Sequence, residues 1–284
     1  MARLIDGREV SASVKRRVAD EVAELNKNGI EVGLAVIIVG NNPASRTYVN
    51  NKKKACAEAG INSYEYALPE DTTTDELLSL IRELNRDSKI NGILCQLPLP
   101  EGLDEKKVIE TISPEKDVDA FHAVNTGHIM IGDYTFLPCT PAGITEMLDY
   151  YNIDVEGKHC VVIGRSNIVG KPMAMLLLKR NGTVTVCHSK TVDLAGYTRQ
   201  ADILVAAIGK PYFVTADMVK DGAVVIDVGM NRNAEGKLCG DVDFAEVEKK
   251  ASFITPVPGG VGPMTIATLL KNTVTAAKRQ NSTD

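Results

Sequence analysis

Residues 158–172 read KHCVVIGRSNIVGKP, and this stretch decides the fold of the C-terminal half of the chain. Its apolar first half predicts a short strand from Lys158 to Gly164. Gly170 and Pro172 then open a helix that we expect to reach Arg180. A strand, a glycine loop and a helix in this order resemble a dinucleotide-binding unit, in which the helix N-terminus offers free N–H groups to an anion.

The loop, Gly164-x-x-x-x-x-Gly170, is not the standard G-x-G-x-x-G pattern. Ser166 stands where the second glycine is expected. Gly164 still allows a tight turn, and Gly170 still lets the helix pack close to the strand. The alternative is an ordinary glycine-containing turn, so the loop alone leaves nucleotide binding open.

The end of the next strand indicates which dinucleotide would bind. That strand, Thr183 to Cys187, is followed by His188-Ser189-Lys190-Thr191. NAD sites usually place an Asp or Glu at this position to hold the ribose 2′-hydroxyl. Hydroxyls and a cation here, with Arg165 in the first loop, suit a 2′-phosphate and favour NADP. The alternative is that both cations are solvated surface charges.

Outward from this unit, helix and strand patterns alternate along the chain, which predicts α/β architecture with parallel sheets. Residues 113–141 are less regular, with one predicted hairpin around Gly132-Asp133, and we place a domain boundary near Cys139. The other predicted strands are 32–39, 61–67, 92–96, 203–206, 223–227 and 252–254. The other predicted helices are a first helix ending at Gly29, then 43–59, 74–86, 104–112, 141–151 and 263–278.

Composition excludes several classes of protein. The chain has 284 residues and a net charge of −5, so it lacks a chain-wide basic surface for nucleic acid. No apolar run approaches the roughly 18 residues of a membrane span, and the N-terminus lacks the apolar core of a signal peptide. None of the six cysteines is spaced as C-x-x-C, so we expect reduced thiols, no metal site and a cytoplasmic protein.

Polar residues in the N-terminal half are candidates for a binding or catalytic site. Tyr48 and Lys52 are four apart on a predicted helix and share one face, although Lys52 could belong to a solvated lysine cluster. Gln96 ends a predicted strand, where open α/β sheets bind ligands. Asp117 and Asp119 could be ligand-binding carboxylates or caps of a turn, and pattern alone does not decide.

Together, six motifs in order resemble the bifunctional methylenetetrahydrofolate dehydrogenase/methenyltetrahydrofolate cyclohydrolase family over almost the whole chain. Two positions depart from that family. Ala120 stands where Gly is usual, and Met230 stands where Ile is commoner. The motifs are Tyr48-x-x-x-Lys52, Gln96-Leu97-Pro98-Leu99-Pro100, Lys116-Asp117-Val118-Asp119, Pro138-Cys139-Thr140-Pro141, Gly164-Arg165-Ser166-x-Ile168-Val169-Gly170-x-Pro172 and Pro256-Val257-Pro258-Gly259-Gly260-Val261-Gly262-Pro263-Met264-Thr265.

The resemblance implies a two-domain α/β enzyme with a cleft between the domains. Residues 1–138, rejoined by a C-terminal helix over 263–284, would form the folate-binding catalytic domain, and residues 139–262 a Rossmann-type NADP domain. Such enzymes oxidise 5,10-methylenetetrahydrofolate with NADP+ to the methenyl cation and hydrolyse that cation to 10-formyltetrahydrofolate. The alternatives are a monofunctional NADP-dependent dehydrogenase and a non-catalytic nucleotide sensor.

The resemblance also implies roles for individual residues, a homodimer, and a place in one-carbon metabolism that serves purine and amino-acid biosynthesis. Lys52 would manage protons during hydrolysis, Gln96 would hold Lys52, Tyr48 would stack on the folate and Asp119 would bind the pterin edge. The expected cofactor-binding residues are Gly164, Arg165, Ser166, Val169, Gly170, Ser189 and Ile208. The expected substrate-binding residues are Tyr48, Lys52, Gln96, Leu97, Pro98, Asp119, Gly259, Gly260 and Pro263.

Overall fold

The structure, a computed structural model, describes residues 1–282 with the exception of the Ala44 side chain. The chain divides into two compact units. The C-terminal unit comprises Met1–Ala12 and Pro138–Thr265, and the N-terminal unit comprises Ser13–Leu137 and the chain from Ile266 onward. The sequence prediction placed the first residues with the N-terminal domain, whereas in the structure they lie with the C-terminal unit.

Helices and strands alternate through most of the described chain. The helices are α1 (Gly7–Lys27), α2 (Pro43–Ala59), α3 (Thr74–Arg86), α4 (Glu105–Thr111), α5 (Ala123–Ile131), α6 (Cys139–Tyr150), α7 (Gly170–Lys179), α8 (Leu194–Thr198), α9 (Phe244–Val247) and α10 (Val261–Asn281), with a 3-10 turn at Ala216–Met218. The strands are β1 (Arg3–Leu4), β2 (Gly33–Val39), β3 (Asn62–Leu68), β4 (Gly92–Cys95), β5 (His159–Ile163), β6 (Thr183–Cys187), β7 (Ile203–Ala206), β8 (Val224–Asp227), β9 (Asn231–Arg232), β10 (Leu238–Cys239) and β11 (Phe253–Ile254). No helix among the described residues has the length and apolar character needed to cross a membrane.

The sheet of the N-terminal unit has three parallel strands in the order β3-β2-β4. All seven residues of β2 are buried, as its continuous apolar sequence predicts. The amphipathic helix α3 packs four apolar side chains into the adjoining core, Leu77, Leu78, Ile81 and Leu84. Its first turn is fixed by a capping box between Thr73 and Glu76.

The C-terminal unit contains a six-stranded sheet in the order β1-β11-β8-β7-β5-β6, with every pair parallel. The strand β5 lies between β6 and β7, so the strand order reverses at β5. In open α/β sheets this switch point forms a ligand-binding crevice at the carboxyl ends of the strands. A separate antiparallel pair, β9 and β10, precedes Asp241.

The prediction of a hairpin at Gly132-Asp133 is wrong. Residues Ala123–Ile131 form the helix α5, and Gly132 ends it in the left-handed conformation with φ of 78°. A glycine followed by a polar residue is compatible with both a hairpin turn and a helix C-terminus. Apart from this segment, the structure adds only short elements to those predicted, namely β1, the β9–β10 pair, α8, α9 and the 3-10 turn at Ala216–Met218.

The cysteines are buried thiols in both units. All six lie within the described residues, and none is exposed. Burial raises the pKa of Cys95 to about 12 and that of Cys56 and Cys160 to about 11. Their positions agree with the apolar, strand-like context of most of them in the sequence.

A buried aspartate ties β8 to the segment after β10. Asp227 Oδ1 accepts hydrogen bonds from the backbone N–H groups of Gly229 and Asp241, and Oδ2 accepts one from Val242 N–H, all at 2.9 Å. Burial nevertheless dominates and, with Asp241 nearby, raises the pKa of Asp227 from 3.8 to about 6. Below about pH 6 the neutral carboxyl is therefore favoured in the folded protein.

The raised pKa of Asp227 predicts a pH-dependent loss of stability. Between about pH 4 and pH 6 the folded protein keeps a proton that the unfolded chain has released, so this contribution falls as pH rises. We expect the free energy of unfolding of the wild type to fall by about 2 to 3 kcal/mol relative to Asp227→Asn across that window. Urea unfolding at several pH values measures both curves.

Asp202→Asn is the matched control for this experiment. A hydrogen bond from Lys220 and a second from the His159 backbone lower the pKa of Asp202. The wild type should therefore gain stability relative to this variant as pH rises through the acid range. Parallel curves for wild type and Asp227→Asn would contradict the Asp227 prediction.

Candidate active site

The loop between β5 and α7 is built around two glycines that no other residue could replace without a backbone shift. Gly164 has φ of 130°, and a Cβ there would lie 2.3 Å from the carbonyl oxygen of Ala207. A Cβ on Gly170 would lie 2.3 Å from the carbonyl oxygen of Gly164. Both distances are shorter than any normal contact, so the close backbone approach expected of a dinucleotide loop is present.

Ser166 changes how the helix N-terminus is used. Its Oγ accepts hydrogen bonds from Val169 N–H at 3.1 Å and from Gly170 N–H at 3.3 Å. The expectation that the helix offers free N–H groups to an anion is therefore wrong for these two amides. Ser166 lies in the loop three residues before Val169, the N-cap of α7, and is itself an exposed residue.

The corner expected to bind a 2′-phosphate forms beside this loop. The β5–β6 register pairs Ile163 with Cys187, so Arg165 and Ser189 follow at matching positions. Gly164 N–H donates to the Cys187 carbonyl at 2.9 Å, which holds the two strand ends together. Arg165, Ser189 and Lys190 are all exposed there.

The loop after β7 completes the same edge of the sheet. The β5–β7 register pairs Ile163 with Ala206, and Ala207 N–H donates to the Ile163 carbonyl at 2.9 Å. Ile208 is therefore at the β7 side of the switch point. All the predicted cofactor-binding residues lie at this edge of the sheet. The absence of a Cβ at Gly164 and Gly170 leaves the space that the close approach of a dinucleotide to the backbone requires.

In the N-terminal unit, Lys52 and Gln96 meet although they are 44 residues apart. Lys52 Nζ donates to Gln96 Oε1 at 2.9 Å, and Gln96 Nε2 donates to the Leu97 carbonyl at 2.7 Å. Lys52 is only 8% exposed, so it is not part of a solvated lysine cluster. Its neighbour Lys53, by contrast, is exposed and pairs with Glu65 at 3.4 Å.

Tyr48 and Lys52 lie one turn apart on α2. The tyrosine is 37% exposed, and burial of the remainder raises its pKa. A half-covered ring of this kind presents an apolar face beside a polar tip. Leu97 and Pro98, joined by a cis peptide bond, follow Gln96 at the surface end of β4.

Asp117 and Asp119 have different environments. Asp117 is 2% exposed, and its Oδ2 accepts from His122 N–H and from Asn125 Nδ2, both at 2.8 Å. Burial raises its pKa. Asp119 is half-buried and close enough to Cys95, at the end of β4, to help raise the pKa of that thiol. Asp117 is thus the cap of the turn, whereas Asp119, the more exposed of the two, is the candidate ligand.

Ala120 occupies a position that favours glycine. Its φ is 58°, in the left-handed region, and its methyl group is buried. The turn that begins at Asp117 therefore keeps a left-handed residue directly after Asp119. This conformation gives a physical reason for the glycine usual in the resembling family.

Gly259, Gly260 and Pro263 belong to the C-terminal unit. Gly259 has φ of 107°, and a Cβ on Gly260 would lie 2.5 Å from the Pro256 carbonyl oxygen. The glycines are thus required by the turn itself. Within residues 1–282, no group of three or more His, Cys, Asp or Glu is arranged to hold a metal ion.

Comparison with known proteins agrees with an NAD(P)-dependent α/β enzyme. The catalytic-domain profile of the tetrahydrofolate dehydrogenase/cyclohydrolase family matches residues 5–119, and its NAD(P)-binding-domain profile matches residues 138–281. The chain belongs to this family.

Individual relatives are similar over nearly the whole chain. A protein from Acetivibrio thermocellus named bifunctional protein FolD is 62% identical over 279 residues, which cover 98% of both chains. The crystal structure of the bifunctional FolD enzyme from Campylobacter jejuni is 53% identical, with a TM-score of 0.97 over 99% of this chain and 100% of that one. The Trypanosoma brucei enzyme, solved with NADP cofactor and an inhibitor, is 40% identical, with a TM-score of 0.95 over 99% of both chains.

These matches confirm three expectations from the sequence. The fold is a two-domain α/β fold with catalytic and NAD(P)-binding domains. The protein is a bifunctional dehydrogenase/cyclohydrolase rather than a monofunctional dehydrogenase. Its cofactor is NADP.

Proposed function

We propose that Lys52 is the residue that manages protons in the cyclohydrolase reaction, in which 5,10-methenyltetrahydrofolate becomes 10-formyltetrahydrofolate. The supporting observation is its 2.9 Å hydrogen bond to Gln96 from a position only 8% exposed. Gln96 is itself held by the Leu97 carbonyl, so the direction of the amine is fixed. An amine with one hydrogen-bonding position engaged keeps the others for water and substrate.

The proton steps of hydrolysis follow from this arrangement. As a neutral amine, Lys52 takes a proton from water while the water oxygen bonds to the amidinium carbon. As an ammonium, it returns a proton to N5 of the folate while the bond between that carbon and N5 breaks. The hydroxyl proton leaves to solvent as the formyl carbonyl forms, so one proton is released in all. Gln96 positions the amine through both steps.

The dehydrogenase step precedes hydrolysis and needs no enzyme base. The glycine loop after β5 would hold NADP+, which would supply the hydride acceptor for oxidation of the methylene carbon to the methenyl cation. The chain contributes binding and orientation. We propose that Tyr48 stacks on the folate ring system, with Leu97, Pro98, Gly259, Gly260 and Pro263 as further substrate contacts.

We propose that Asp119 binds the exocyclic amine and ring N–H of the pterin. A carboxylate matches a pair of adjacent donors. Asp117 is buried and accepts hydrogen bonds from His122 and Asn125 within the turn. Asp119 is the half-buried carboxylate and lies near Cys95 at the end of β4. The turn thus presents one carboxylate while burying the other.

We also propose that the protein acts as a cytoplasmic homodimer and supplies one-carbon units to purine and amino-acid biosynthesis. The terminal strand β6 supports self-association, because it is the edge of the sheet and its Val186 is 39% exposed. An unpaired edge with an exposed apolar residue is a common contact surface.

Lys52→Met separates the two activities. It keeps much of the apolar stem and removes the amine, so we expect cyclohydrolase activity to fall by roughly 10²-fold or more. Dehydrogenase activity should fall less, because hydride transfer moves no proton. Methenyltetrahydrofolate should accumulate from methylene substrate and NADP+, and its near-ultraviolet absorbance measures it.

Lys53→Met is the matched control, since Lys53 is exposed and its ion pair with Glu65 is a surface contact. Hydrolysis of methenyltetrahydrofolate is followed in both variants with the spontaneous rate subtracted. Equal rates of hydrolysis in Lys52→Met and Lys53→Met would contradict the proposed role of Lys52.

Asp119→Asn should weaken folate binding more than cofactor binding. A neutral amide cannot accept from both donors of the pterin edge, so the loss should be about 1.5 to 3 kcal/mol. Affinities for folate and for NADP+ are measured separately by fluorescence titration. Unchanged folate affinity with weaker NADP+ binding would show that Asp119 has been misplaced.

The corner formed by Arg165, Ser189 and Lys190 predicts a preference for NADP+ over NAD+. The ratio of kcat/KM for the two cofactors should fall by about ten-fold in Arg165→Gln, a size typical of one exposed charge-assisted contact. Lys237→Gln, at an exposed lysine just before β10, should leave the ratio unchanged. A wild type that uses both cofactors equally would refute the assignment of this corner.

A further inference from the structure

A second buried carboxylate, Asp241, organises the loop after β7. Asp241 is fully buried. Its Oδ2 accepts from Ile208 N–H at 2.6 Å and from Gly209 N–H at 3.0 Å, while its Oδ1 accepts from Lys210 N–H at 2.9 Å. Asn231 Nδ2 donates to Oδ1 at 2.8 Å. Three consecutive loop amides therefore turn towards a single side chain.

The surrounding chain is shaped to admit this carboxylate. A Cβ on Gly229 would lie 2.4 Å from Asp241 Oδ1, and a Cβ on Gly240 would lie 1.8 Å from Asp227 Oδ2. Glycine at both positions leaves the space that the two carboxylates occupy. Asp227 in turn holds the backbone N–H of Asp241. The loop after β7 is thus anchored, through Asp241, to the end of β8.

The anchored loop, residues 207–210, lies along one side of the crevice at the carboxyl ends of β5 and β7. In a trans peptide the N–H and the preceding C=O point in opposite directions. With the amides of Ile208, Gly209 and Lys210 facing Asp241, the carbonyls of residues 207–209 face away from it. The Ala207 carbonyl indeed faces Gly164, since a Cβ there would lie 2.3 Å from this oxygen.

The order of the strands indicates which half of the cofactor would lie against this loop. In this class of fold the adenosine ribose lies at the end of the second strand, here β6, and the pyrophosphate lies over the glycine loop after the first, here β5. The strand β7 is on the opposite side of β5 from β6. The remaining half of the dinucleotide, which carries the nicotinamide, would therefore lie against the loop after β7.

We propose that Asp241 is a positioning residue for the nicotinamide half of NADP. It acts by holding loop 207–210 so that its carbonyls face the crevice, where ribose hydroxyls and the carboxamide N–H group are the matching donors. The inference rests on the assignment of NADP as the cofactor and adds a residue that does not itself touch the dinucleotide.

The test compares two ligands in one variant. Asp241→Asn replaces one of the two acceptor oxygens by an NH2 group, so at least one loop N–H faces another donor. We expect NADPH to bind about ten-fold more weakly, measured by its fluorescence. The probe 2′-phospho-ADP-ribose, which lacks the nicotinamide, should bind within two-fold of wild type, because its contacts lie at β6 and the glycine loop.

Two further variants keep the test decisive. Asp243→Asn alters a carboxylate two residues away that caps no helix N–H, and it should leave both affinities unchanged. Asn231→Ala removes one of the four donors to Asp241, and we expect about a three-fold loss for NADPH alone. If Asp241→Asn does not fold, the milder variant carries the test.

The results distinguish a failure of the inference about Asp241 from a failure of the cofactor assignment. Equal weakening of both ligands would mean that Asp241 only supports the fold, and unchanged NADPH affinity would mean that the loop does not depend on it. Either result overturns the inference. A wild type that binds neither ligand would instead overturn the cofactor assignment.

Discussion

A strand that is buried on both faces carries apolar side chains along its length. Polar side chains that could bind a ligand therefore lie where such a strand ends. All seven residues of β2 and all four of β4, β7 and β8 are buried. Because the strands of the three-stranded and six-stranded sheets are parallel, their carboxyl ends meet at one edge of each sheet. Gln96 follows β4, Gly164 follows β5 and Ile208 follows β7. The positions of these three residues are thus a consequence of the same constraint.

Much of this fold could be predicted because buried helices and strands require a regular spacing or a continuous run of apolar residues in the sequence. The apolar run that ends in Gly164 predicted a strand over 158–164, and β5 occupies His159–Ile163. Elements of two residues, such as β1, β9 and β10, are too short to produce any periodicity. The helix α5 was missed for a different reason, since Gly132 ends a helix with the same residue type that a hairpin would use.

The candidate site was predictable within one element and not between elements. Helical spacing places Tyr48 above Lys52, but only the folded sheet brings Lys52 to Gln96. Burial then separates Lys52 from the exposed Lys53, which no sequence pattern distinguishes. Asp241 gave no signal at all, because its function depends on backbone amides from a loop 31 to 33 residues earlier in the chain.

The buried thiols have a chemical consequence for how the enzyme meets oxidants. A thiol reacts with peroxide or an alkylating agent mainly as its thiolate, and a raised pKa keeps that form scarce. Burial raises the pKa of Cys95, directly before Gln96, to about 12, and the thiols of Cys56, Cys160 and Cys187 are shifted in the same direction. The Cys95 thiol, next to a residue proposed for catalysis, should therefore react slowly with oxidants. We expect the one-carbon reactions at this site to be little affected by oxidation of that cysteine.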